Sequence, residues 1–139
     1  MTYTELVAGH AAIKASARKL RNCVASRHPR AKAAAALLQE LALLLLEHID
    51  GEAPLFRSTR EAAAGDRHAE LAARFEREFQ LLRESWSACL SRWTGDRIAA
   101  DWSGFAAESR AMLATLEERL ECEASVLYSL ALHYRVIAP

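Results

Sequence analysis

The chain has 139 residues and carries 18 basic and 18 acidic side chains, so its formal net charge at pH 7 is zero. This length is enough for one domain, residues 1–139, to bury a core without disulfides or a structural metal. The balanced charge argues against the long-range attraction that draws proteins to nucleic acid or anionic membranes. We find no apolar run long enough to span a bilayer and no signal-peptide pattern, so we expect a cytoplasmic protein with no nucleic-acid or membrane partner.

Glycine and proline are scarce, and their positions divide the chain into four predicted helices. Apolar residues recur at three- and four-residue steps, and no strand pattern is present. The helices, A to D, are expected at residues 4–25, from 29 to about 52 or 56, 67–93 and 104–134. Four long amphipathic helices with short links pack best as an up-down-up-down antiparallel four-helix bundle, so the predicted fold class is all-α.

Residues at the helix ends support this division. The candidate N-caps are Thr2 or Thr4 for helix A, Asp66 for helix C, and Asp101 or Ser103 for helix D. Pro54 has no N–H and would remove the hydrogen bond to the carbonyl of Asp50. We therefore expect helix B to kink or end near Pro54.

Two histidines are predicted to face each other across the first helical hairpin. His10 precedes the A–B turn by nearly as many residues as His48 follows it, which puts both at one level of the bundle. Glu52 lies one helical turn beyond His48, on the same face. Imidazole and carboxylate groups from different helices are how helical bundles build di-iron sites.

The pattern resembles the hemerythrin-like HHE cation-binding family, whose bundles consist of two hairpins, each with a His on its first helix and His-x-x-x-Glu on its second. The first half of the chain matches with His10, then His48-Ile49-Asp50-Gly51-Glu52. The second half matches only in part, because Arg119 stands at the family's His position while Glu123 keeps the Glu position. On helix C, Ala72 or Phe75 stands where the family has a His.

The resemblance implies a non-haem iron site with the ligands His10, His48, Glu52 and Glu123, with His68 as a further candidate at the start of helix C. Arginine cannot ligate a metal, and its positive charge would repel one. A single iron, or an empty site, is therefore as well supported as the family's di-iron centre. Our sharper hypothesis is that Arg119 replaces the second metal and bridges Glu123 and Glu52 inside the bundle.

Each of these residues also has an ordinary structural interpretation. His10 could be a hydrogen-bonded core histidine, and His48 with Glu52 could be a solvated pair one turn apart. Glu123 could be surface charge, and His68 a first-turn surface residue. Tyr128 is placed to hydrogen-bond towards the site, although core packing is the default for a buried tyrosine.

Three functions are compatible with the sequence. The first is a non-enzymatic, hemerythrin-like iron protein that binds or senses dioxygen or a related small ligand. The second is a metal-free bundle that regulates a protein partner, since helix D loosely resembles the last helix of anti-sigma regulators of the sigma D type. The third is catalysis at the iron, as oxidase or nitric-oxide chemistry; no nucleophile–base arrangement or phosphate loop supports any other enzyme class.

Overall fold

The computed structural model describes residues 1–139, and the chain is helical with no strands. Helices of six residues or more are α1 (Tyr3–Val24), α2 (Ala31–Ala63), α3 (Ala69–Arg92), α4 (Gly95–Ala100), α5 (Trp102–Cys122) and α6 (Tyr128–His133), with a π-helical turn at Glu123–Leu127 between the last two. The longest, α2, packs against α1, α3 and α4, and α1 also packs against α5. This arrangement confirms the predicted all-α class. None of the helices is both long and apolar enough to cross a membrane.

The start of α1 is fixed from two directions. Thr2 and Glu5 form a reciprocal capping box, in which the Thr2 hydroxyl accepts from the Glu5 backbone N–H and the Glu5 carboxylate accepts from that of Thr2. The Tyr3 N–H donates to the carbonyl of Ala138 at 2.9 Å, which ties the N-terminus to the C-terminal residues. Such caps satisfy the free N–H groups of a first helical turn and so hold the helix that carries His10.

Of the kink or end expected near Pro54, the end does not occur, because helix α2 continues to Ala63. The proline removes one backbone hydrogen bond, whereas the residues beyond it bury an apolar face that includes Leu55 and Phe56. Packing of this face outweighs the local cost of the proline. The link to α3 is correspondingly short.

Gly51 lies in the interior of α2, where a Cβ would meet no atom within 4 Å. Glycine in a helix interior is less favourable than alanine because it loses more backbone entropy on folding. We expect Gly51→Ala to raise the free energy of unfolding by about 0.5–1 kcal/mol, measured by urea denaturation. An unchanged or lower value would contradict this account of Gly51.

The start of the third predicted helix and the connection after it also differ from the sequence-based prediction. Helix α3 begins at Ala69 and not at Arg67, and the Asp66 carboxylate accepts from the neighbouring Arg67 N–H and from the Tyr134 hydroxyl. The connection after α3 contains the short helix α4, which was not predicted. Asp101 then caps α5 by accepting from the Gly104 N–H at 2.9 Å, as expected for one of the two candidates.

The predicted fourth helix is interrupted where it reaches the candidate site. Cys122 ends α5, and the following turn is π-helical, with the Tyr128 N–H bonded to the carbonyl of Glu123 five residues earlier. In a π turn the backbone hydrogen bond joins residues five apart rather than four, which brings their side chains to the same side of the helix. Such turns occur frequently at functional sites. Glu123 and Tyr128 are therefore stacked on one face, and both are completely buried.

Candidate metal centre

Four helical segments bring five polar side chains together in the interior. The cluster consists of His10 from α1, His48 and Glu52 from α2, Glu123 from the π turn and Tyr128 from α6. The His10 and His48 rings lie edge to face with their centroids 5.1 Å apart. The two histidines thus face each other, as their distances from the first turn indicated.

Glu123 is the centre of this cluster. Its Oε1 lies 2.6 Å from His10 Nε2, 2.9 Å from His48 Nε2 and 2.7 Å from the Tyr128 hydroxyl. The carboxylate has no exposed surface. The two imidazoles, and the phenol that Glu123 shares with Glu52, offset the cost of burying this negative charge.

Glu52 occupies the other side of the cluster. The Tyr128 hydroxyl donates to Glu52 Oε1 at 2.6 Å, and Glu52 Oε2 lies 2.9 Å from His48 Nε2 without a directional hydrogen bond. Tyr128 also lies 3.0 Å from His10 Nε2. Since the phenol has one proton for these neighbours, it positions both carboxylates while fully satisfying only one of them.

The cluster shifts the proton affinities of its members in opposite directions. Burial alone would lower the pKa of His48, but the hydrogen bond to Glu123 and the adjacent Glu52 carboxylate outweigh burial and raise that pKa to about 9. Burial alone would raise the pKa of Glu123, but hydrogen bonds to His10 and His48 outweigh it and lower that pKa to about 2. For Glu52 burial prevails, and its pKa is raised. Burial and the two carboxylates raise the pKa of Tyr128 far above its usual range.

The donor set suits one metal ion. His10, His48 and Glu123 each offer a ligand atom, and these atoms all lie within 4.8 Å of one another. Glu123 Oε2 and His10 Nδ1 are buried with no hydrogen-bond partner, so the carboxylate has an unused oxygen available. Two imidazoles and one carboxylate are the donors of mononuclear non-haem iron sites and also suit zinc.

A second metal ion would lack ligands on α3. The residues that line the buried face of its first half are apolar: Ala72, Phe75 and Phe79. His68, the remaining candidate, takes no part in the cluster. It lies at the N-cap of α3 beside the rings of His133 and Tyr134, with centroid distances of 6.1 and 6.4 Å.

Arg119 does not bridge the two glutamates, so our hypothesis for this residue is wrong. Its guanidinium donates to Glu78 Oε2 at 2.6 Å in a partly exposed ion pair on α3. The Arg119 side chain is 28% exposed, so the cation is not fully buried. Hydrogen bonds from histidine and tyrosine, rather than an arginine, balance the buried carboxylates.

The position of Arg119 predicts that replacing it leaves the cluster intact. We expect Arg119→His to bind the same amount of metal per chain as the unmodified protein, measured by elemental analysis. Loss of a partly exposed ion pair should lower the free energy of unfolding by no more than about 1 kcal/mol. A gain in bound metal would show that the side chain reaches the cluster after all.

Comparison of the chain with protein-family models, with curated proteins and with solved structures finds no match. The likeness to the hemerythrin-like family consequently rests on the residues themselves.

Proposed function

We propose that the chain is a hemerythrin-like, up-down-up-down four-helix bundle that binds one non-haem metal ion, iron in the first instance, and through it dioxygen or a related small ligand. The observation that carries this proposal is the convergence of His10, His48 and Glu123 from three separate helical segments. Three protein ligands leave coordination positions open, and an iron ion bound there would supply reversible small-ligand chemistry. We place the protein among binding proteins rather than enzymes.

The other two polar residues have distinct parts in this proposal. Glu52 is adjacent to His48 and can act as a fourth ligand or accept the proton that His48 releases when a metal binds. Tyr128 holds the orientation of both carboxylates through its hydroxyl. Partners of this kind fix metal ligands in place, and their loss weakens metal binding.

The test is the metal content of protein purified without a histidine tag or chelator and then loaded anaerobically with ferrous iron. We expect close to one ion per chain. His10→Ala and His48→Ala should abolish this binding, whereas the matched control His68→Ala should retain it, because His68 lies outside the cluster. Unmodified protein without iron, manganese or zinc after loading would contradict the proposal.

The second candidate is a metal-free bundle that regulates a protein partner. One observation favours it, namely that both histidine Nε2 atoms already contact a carboxylate. Such a cluster would act as a buried ion pair that fixes the packing of α1, α2 and the π turn. The same metal analysis distinguishes the two candidates, since only the first requires a bound ion.

A further inference from the structure

A small cavity leads from the surface to the cluster between α1 and α2. Its volume is about 260 Å³, and its lining includes Gly9, Gly51, Glu5, Glu47, His48 and Glu52. Of the cluster's five members, only His48 and Glu52 line it, and the His48 side chain is 11% exposed. The cavity therefore meets the cluster on the His48 side, whereas His10 is buried and does not line it.

Of the two glycines that line this opening, Gly9 keeps it wide. A Cβ on Gly9 would lie 3.8 Å from His48 Nδ1, so an alanine methyl would cover that ring atom. A Cβ on Gly51 would meet nothing within 4 Å. Glycine is disfavoured inside a helix, and at Gly9 its lack of a side chain leaves the imidazole accessible.

The charge of the cavity lining suits a cation. The lining carries three carboxylates, Glu5 and Glu47 at its rim and Glu52 at its inner end, against one terminal amino group, that of Met1, and it includes no lysine or arginine. Glu47 is exposed and makes no ion pair. Glu52, by contrast, is buried, and its Oε2 has no directional hydrogen bond, so a carboxylate oxygen with unused capacity stands where the cavity ends.

We propose that this cavity is the passage by which a divalent cation reaches the cluster, with Gly9 keeping it open and Glu47 attracting the ion at its mouth. The proposal rests on the proposed function, because that function requires the metal ion that would use the passage. A cleft whose lining carries mainly charge of one sign raises the local concentration of the opposite ion and accelerates its binding. Glu47 is thus a steering residue that acts on the rate of loading and not on the final affinity.

The first experiment measures the rate at which cobalt(II) loads, followed by visible absorption. Glu47→Lys should slow loading on the order of tenfold at low ionic strength and leave the final stoichiometry unchanged. The matched control is Glu61→Lys, an identical charge change at an exposed site about 21 Å further along α2. Added salt should remove the difference between the two variants. Equal loading rates at low salt would overturn the steering role.

The second experiment needs no metal and so separates the passage from the proposed function. Dissolved dioxygen enhances the NMR relaxation of the His48 ring protons wherever it can reach them. Gly9→Ala should reduce this enhancement several-fold, while Gly51→Ala, whose methyl meets no neighbouring atom, should match the unmodified protein. An unchanged enhancement in Gly9→Ala would overturn the passage. If Gly9→Ala reduces the enhancement but the unmodified protein binds no cobalt, the proposed function is wrong, and so is the inference that a cation uses the passage.

Discussion

Replacing Glu123 by alanine is expected to lower the free energy of unfolding by about 3–5 kcal/mol, which is the usual cost of removing one partner from a buried charged network. Glu123 Oε1 lies within hydrogen-bond distance of His10, His48 and Tyr128, and the carboxylate itself is fully buried. Without the carboxylate, His10 and His48 lose their shared acceptor. Whole domains are stable by only about 5–15 kcal/mol, so this loss is a large share of the total.

Urea denaturation of metal-free protein measures the effect. Glu123→Gln should lose less stability than Glu123→Ala, because its amide oxygen can still accept a hydrogen bond from one of the histidines. Glu123→Gln also provides the comparison if the alanine variant does not fold. The matched control is Glu121→Ala on the exposed face two residues earlier, where a change within about 0.5 kcal/mol is expected. Equal losses at the two positions would mean that the Glu123 network does not stabilise the fold.

The first half of the candidate site followed from the sequence because its geometry is regular. His10 and His48 lie on uninterrupted α-helices joined by one short turn, so counting residues from that turn gives their heights. The four-residue spacing then places Glu52 beside His48. Helical periodicity and a single proline-marked turn are sufficient for this part of the arrangement.

The second half did not follow from the sequence, because the chain there departs from regular helix. Tyr128 stands five residues after Glu123, and in an α-helix that spacing would turn the tyrosine away from the glutamate. The π turn brings both to one face, and no residue pattern in Glu123–Leu127 predicts such a turn. The signal available was a tyrosine near the site, for which core packing was the simpler interpretation.

The other errors arose from packing over longer distances. Burial of the face beyond Pro54 extends α2, which shortens the following link and places His68 at the N-cap of α3, away from the cluster. Arg119 lies four residues before Glu123, but its long side chain reaches Glu78 at the surface. Position along a helix thus located the backbone of Arg119 without determining where its charge lies.

The stability of the metal-free protein should fall as pH rises from about 6.5 to about 9. The pKa of His48 is raised from 6.5 to about 9 in the folded chain, so its ion pair contributes fully below pH 6.5 and is lost as pH passes through about 9. A shift of this size corresponds to at most about 3 kcal/mol. On the acidic side Glu123 and Glu52 act in opposite directions, because one pKa is lowered and the other raised. The alkaline range is therefore where the effect of His48 is clearest.

The measurement is urea denaturation at a series of pH values, comparing the unmodified chain with His48→Gln. In the variant, the free energy of unfolding should fall much less between pH 6.5 and 9 than in the unmodified chain. Equal slopes in the two proteins would show that His48 is not the group responsible.

Metal binding should respond to pH in the opposite sense, because a histidine ligand must give up its proton to bind. Raising the pH through this interval weakens the ion pair that stabilises the empty cluster and frees the same imidazole to bind metal. The gain in stability on metal loading should accordingly be larger at pH 9 than at pH 6.5, a difference that a purely structural ion pair would not produce.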